Sequence, residues 1–283
     1  MERMEPVSPC APKFWLWPNL LSLDAPVVAV LWQVLFLRCF RAPVEALPVA
    51  LLALTVWLIY SADRALDAFA GDRHTPRHRF YREHWRMLAP MWVAGFAAAG
   101  WMSLTELPLP ILRSGLMLLS AVGVYLFIVH SAPVWLRRWM GQTPLGRSWT
   151  KEAVVAVLFA LGSSLGAWEK IRTSADVAAV TLFSALCWIN CVAIERWECR
   201  EWGAPDTEAS GWPLRSIALG IAAAAVFVFL ENRPVLATAE MASAFAFLWL
   251  DHARPRLSAD ALRVLADAAL LSPIFLLPIA GHV

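Results

Sequence analysis

Charge is what this chain has least of. Only 16% of its 283 residues are Asp, Glu, Lys or Arg, while 59% are hydrophobic. Soluble domains carry about 25% and roughly 45–50% respectively. With so little polar material the chain cannot build a water-facing shell around its apolar mass, which excludes a soluble globule. Apolar residues along the whole length exclude disorder as well. The formal net charge is only +2, so no basic footprint for nucleic acid exists. Cysteine is sparse: Cys10, Cys39, Cys187, Cys191 and Cys199 form no CxxC pair and no disulfide framework, and read as free thiols. Walker A, GxGxxG and GxSxG patterns are missing. The opening MERMEPVSPCAPKFW has no apolar run with a small-residue cleavage site, so neither a signal nor a transit peptide is expected.

What is abundant is apolar sequence in long runs, with a mean hydropathy of +0.57 and sixteen Trp beside three Tyr. A helix needs about twenty such residues to cross a hydrocarbon core of roughly 30 Å. Nine stretches fit: 20–38, 44–66, 85–104, 109–130, 152–168, 175–194, 213–230, 234–251 and 260–280. Barrel strands would alternate in polarity, whereas ALGIAAAAVFVFL at 218–230 is apolar all round. The expectation is an all-α membrane protein with nine transmembrane helices. It consists of a cytoplasmic tail over 1–19 and one transmembrane domain over 20–283. Of the 24 Lys and Arg, 18 fall in the N-terminus and the loops after helices two, four, six and eight. The positive-inside rule puts those segments, and the N-terminus, in the cytoplasm and the C-terminus outside.

The second helix ends in Tyr60-Ser61-Ala62-Asp63-Arg64-Ala65-Leu66-Asp67. Asp63 and Asp67 are four apart, so a helix stacks both carboxylates on one face. Two like charges at a membrane edge are costly, and a divalent cation relieves both the desolvation and the repulsion. The plainer reading is a helix end in water, with the two Asp paired to Arg64 or Arg73. Asp72, Arg73, Arg77, Arg79 and Arg82 follow, suited to gripping phosphate. His74 and His78 share this loop, but Pro76 between them argues against a helical metal pair. Asp267 and Glu240 sit inside apolar helices, so each calls for an interior partner or a cavity.

DxxxD closing helix two ahead of a DR…R loop, in a nine-helix chain, resembles the UbiA superfamily of membrane prenyltransferases. Asp63 and Asp67 match the last two acidic positions of its first signature, with Ile59 and Tyr60 where Asn and Asp are usual. Leu23-Asp24-Ala25-Pro26 is similar to the family's short signature in helix one. TPLGRSWTKEAVVAVLFALGSSLGAW at 143–168 is similar to its basic residue before a Gly-rich helix, the place of Arg147 or Lys151. The second Asp-rich signature, at the end of helix six, is degenerate: Asn190, Glu195 and Glu198 stand there.

The resemblance implies a UbiA-like bundle around a central cavity. It implies Mg²⁺-dependent transfer of an isoprenyl group from a prenyl diphosphate to a lipophilic or aromatic acceptor. Mg²⁺ would be held by Asp63, Asp67, Asn190, Glu195 and Glu198, and diphosphate by Arg73, Arg77, Arg147 and Lys151, with Asp63 and Asp67 catalytic. Trp32, Trp57, Trp92, Phe127, Phe183 and Trp188 are candidates to line the chamber. The expected location is a prokaryotic plasma membrane, the active face towards the cytoplasm. The degenerate second signature keeps a second reading open, a non-catalytic relative that binds or carries an isoprenoid or other lipid.

Overall fold

The computed structural model describes residues 14–70, 76–131, 148–201 and 214–280. Every regular element among them is helical. A short 3₁₀ turn leads into α1 (Trp17–Leu20), followed by α2 (Asp24–Cys39), α3 (Ala46–Ala70), α4 (Pro76–Glu106) and α5 (Leu109–Ser131). Then come α6 (Ser148–Ser164), continued as a 3₁₀ segment to Lys170, and α7 (Ser174–Glu201). α8 (Leu214–Leu230), α9 (Pro234–Ala253), α10 (Ala259–Ala269) and α11 (Pro273–Ala280) complete the order.

Six helical spans are long and apolar enough to cross a membrane: 46–69, 79–106, 109–130, 151–170, 174–197 and 259–280. α1 and α2 add a seventh if taken together, but they are bent by 74°. The bend follows from local chemistry. Ser22 adopts φ 57°, and Leu23 N–H reaches back to Pro18 C=O at 2.8 Å, the closing bond of a Schellman turn. Residues 14–19, placed by the sequence in a tail, are thus helical, and Asn19 is buried. α8, at 17 residues, is apolar but shorter than the rest. The last span is broken at Leu270–Ser272, ahead of Pro273, which has no N–H to continue the ladder.

The main core is built by α2, α6, α7, α8, α9 and α10, around Trp32, Phe36, Phe183, Leu186, Phe247 and Ala266. Its small residues, Ala156, Ala160, Ala179, Ala218, Ala237 and Ala239 among them, let helix backbones approach closely. α4 and α5 stand outside this core. The most apolar windows of both bury nothing, and Trp101, Leu104, Met117 and Phe127 are more than half exposed. Only lipid can cover such faces, so the protein is an integral, multi-pass membrane protein.

Tryptophan ties the bundle together. Indole N–H groups need an acceptor inside hydrocarbon, and three find one on another helix or turn. Trp32 donates to Leu270 C=O at the break in the last span, 2.8 Å. Trp57 donates to Leu21 C=O in the bend, 3.0 Å, and Trp92 to Leu58 C=O, 2.9 Å. At the opposite end of α7, Thr173 and Asp176 cap the helix. Asp176 is fully buried and accepts from the backbone N–H of Arg172 and Thr173, both at 3.0 Å, and from Arg233 Nε at 2.8 Å. Replacing Asp176 with Ala leaves the Arg233 guanidinium and the first turn of α7 without their shared acceptor. The expected loss is about 3 kcal/mol, read as a lower unfolding midpoint in detergent micelles, with Arg233→Ala adding little on top of it.

Candidate functional site

Two cavities lie side by side in the half of the bundle that holds Asp63. The smaller, about 220 Å³, is the more polar of the two: Asn19, Asp24, Arg64, Asp67, Asn190, Arg263 and Asp267 are in its wall, beside apolar residues such as Val28 and Leu270. The larger, about 540 Å³, is apolar, bounded mainly by α3, α5 and α6. Tyr60, Asp63, Val155, Phe159, Cys191 and Ile194 belong to both walls, so the two spaces lie against each other there.

Helix ends supply the polar groups. Asp63 and Asp67 face the same way from the last turns of α3, as their spacing predicts. The plainer reading's Arg73 lies outside the described residues; among those described, His130, near the end of α5, lies between the two carboxylates. Its Nε2 is 3.0 Å from Asp63 Oδ1 and its Nδ1 3.8 Å from Asp67 Oδ1. The imidazole is nearly buried, whereas the two carboxylates are about half exposed. Arg64 turns the other way, onto Asn19 C=O and, at 3.4 Å, Asp24 Oδ2.

Behind the Asp63–Asp67 face is a second acidic pair that sequence spacing could not assemble. Asp24 opens α2 and Asp267 sits near the end of α10, 243 positions away. Asn19 joins them through one amide, Nδ2 to Asp24 Oδ2 at 2.7 Å and to Asp267 Oδ2 at 3.4 Å. Asn190 Nδ2 donates to Asp267 Oδ1 at 3.0 Å. Asp267 therefore has the interior partners and the cavity that its position demanded. Asp24 Oδ1 and Asn190 Oδ1 are buried with no hydrogen-bond partner. Glu240, the other interior acid, is fully buried, and neither of its carboxylate oxygens has a hydrogen-bond partner. It lies in the wall of neither cavity.

The remaining candidates separate. Asn190 lines the polar cavity but Glu195 the apolar one, joined there by Glu152. Among the described residues no three His, Cys, Asp or Glu gather into a ready metal site. Asp63 and Asp67, hard oxygen donors on one helix face, do fit a cation that takes one or two carboxylates and completes its shell with phosphate. Lys151 is exposed in the first turn of α6 and lines neither cavity. Arg73, His74 and Arg147, and the side chains of Arg77, His78 and Glu198, lie outside the described residues. Arg64 and Arg263 are the guanidinium groups present in the polar wall.

The aromatic candidates need correction. Trp32 and Phe183 stack on each other in the core, centroids 4.2 Å apart, because their N–H and ring faces are used between helices. Trp57 and Trp92 pack between α3 and α4, and Phe127 is exposed. None of these, nor Trp188, lines a cavity. The rings that do are Tyr60, Tyr125 and Phe159, and Tyr60 meets Phe159 edge to face at 6.2 Å.

No family model matches the chain, and no curated protein or solved structure matches it either. Cys191 gives the adjoining cavities a chemical handle, since it belongs to both walls. In a variant whose only cysteine is Cys191, N-ethylmaleimide should modify the thiol. A long-chain alcohol at ten times its Kd should slow modification about tenfold, because roughly a tenth of the sites remain open. Unchanged labelling would mean that the cavity takes no chain.

Proposed function

We propose that this protein is a membrane prenyltransferase of the UbiA kind, transferring an isoprenyl group from a prenyl diphosphate to a lipophilic or aromatic acceptor. The observation that carries this reading is the boundary at Asp63. A cavity with paired carboxylates in its wall adjoins an apolar cavity more than twice its size. A substrate with a doubly charged head and a hydrocarbon chain needs those two environments in that order.

Each group has a task within this reading. Asp63 and Asp67 would hold Mg²⁺, whose contribution is to neutralise the diphosphate as it leaves. Arg64 and Arg263, in the wall of the same cavity, would meet the phosphate oxygens, and Arg73, Arg77 and Arg147 remain candidates implied by the resemblance. The apolar walls keep water from the allylic carbon, and the faces of Tyr60, Tyr125 and Phe159 favour the positive charge that develops there. Asp24 Oδ1 and Asn190 Oδ1, buried acceptors in the polar wall, orient a hydroxyl or amine of the acceptor. The full topology belongs to the same proposal: nine spans with α8, α9 and the bent α1–α2 pair included, the N-terminus and the active face in the cytoplasm, and a prokaryotic plasma membrane as the location.

One observation favours the second reading, a non-catalytic isoprenoid binder or carrier. His130 occupies the space between Asp63 and Asp67, which a cation would otherwise share. The assay that separates the two is Mg²⁺-dependent release of diphosphate from geranyl to geranylgeranyl diphosphate by purified protein with an aromatic acceptor. Asp63→Asn and Asp67→Asn should each lower the rate by roughly 10²–10³. Release that survives both substitutions removes the metal-dependent mechanism. A protein that co-purifies with an isoprenoid but releases no diphosphate is the carrier.

A further inference from the structure

The apolar cavity is not apolar throughout. Gln33, in the middle of α2, lines it and is only 3% exposed. Its Oε1 is buried with no hydrogen-bond partner. An amide oxygen left so in a hydrocarbon interior forfeits its hydration without return, yet Gln33 sits among Leu and Phe where an apolar residue of the same length would pack. Its surroundings favour access from the cavity. Gly166 lies beside it, and a Cβ there would stand 3.9 Å from Nε2 and 3.3 Å from Leu37. Glycine at 166 thus keeps that flank of the amide clear.

The amide also has a defined place along the cavity. Glu152, Asp63 and Glu195 mark one end, and Gly166, Leu107 and Pro48 the other. Glu152 and Gly166 are fourteen residues apart on α6 and its continuation, about 20 Å at the rise of a helix. Gln33, beside Gly166, therefore stands towards the far end from Glu152 and Asp63, and is nine residues, about 14 Å, along α2 from Asp24. No part of a diphosphate head can reach it.

We infer that the cavity selects a chain hydroxylated near its far end, a hydroxyl that donates to the Gln33 amide C=O and can accept from its N–H. This rests on the cavity being the chain site of the proposed substrate, and it names the class of chain more narrowly than any isoprenoid. Either amide orientation serves, since a hydroxyl both donates and accepts.

The test needs no transfer reaction. Binding of 1,16-hexadecanediol and 1-hexadecanol, whose chains match the length of the cavity, is measured in detergent micelles by protection of Cys191 from maleimide. The ratio of the two Kd values cancels most of what differs between wild type and variant. Gln33→Met, unbranched and of similar length, should lower the preference for the diol about tenfold, the worth of one good buried hydrogen bond. It should bind 1-hexadecanol at least as well as wild type. Gln33→Leu serves as a second variant with the same expectation. An equal diol-to-alcohol ratio in wild type and both variants overturns the inference, leaving the amide to water. Loss of diphosphate release with the diol preference intact would instead sink the transferase reading and spare this one.

Discussion

The site depends on one amide. Asn19 Nδ2 lies between two carboxylates that would otherwise repel each other in a largely buried space, Asp24 on α2 and Asp267 on α10. Arg64 brings a full positive charge to that pair from α3, and Asn190 adds a donor from α7. Through these contacts five elements, α1, α2, α3, α7 and α10, are held at one end of the bundle. Buried acids without such compensation would be strongly destabilising. The network also explains the bend before α2. Ser22 in its left-handed conformation turns α1 across the bundle, and that turn is what delivers Asn19 to the carboxylates.

The same reasoning accounts for what α3 presents. Arg64 is drawn inward to Asp24, and His130 from α5 is a partner that Asp63 and Asp67 share. Their half-exposed carboxylates then form the rim of the polar cavity while Asp24 and Asp267 form its interior. Two acidic pairs thus sit in one cavity in different environments. The outer pair is accessible to a cation and a phosphate. The inner pair is fixed by amides and addresses a hydrogen-bond donor.

How much of this the sequence could reveal follows from the range of each interaction. The all-helical membrane character came from composition, and the shared face of Asp63 and Asp67 from a four-residue spacing. Asp267 could be marked as an interior acid because its surroundings in sequence are apolar, although its partners could not be named. His130 left no signal: it meets Asp63 across 67 positions of sequence, and a single His near a helix end is common. The same holds for Asn19, which looked like part of a polar tail because nothing local shows the turn at Ser22. Trp32 and Phe183 were misjudged as chamber linings for a related reason. An indole in an apolar helix has the same appearance whether it faces a cavity or donates to a carbonyl freed by a break 238 residues away.

The polar-to-apolar boundary puts a further constraint on any reaction in this space. Asp63 is the one carboxylate common to both walls, and Tyr60, Phe159 and Cys191 share that boundary. In the proposed reaction, a bond broken between a charged head and a hydrocarbon chain would lie at that boundary, for on either side one half of the molecule would be in the wrong solvent. Moving the head inward by even one helical turn would put its charge among Leu and Val side chains of α3 and α6. Moving it outward would draw hydrocarbon past Asp24 and Arg64. For the proposed substrate, the register would therefore be set by solvation before any specific contact. Directional groups such as Asp24 Oδ1 and Gln33 would then act on a molecule whose position along the bundle is already decided.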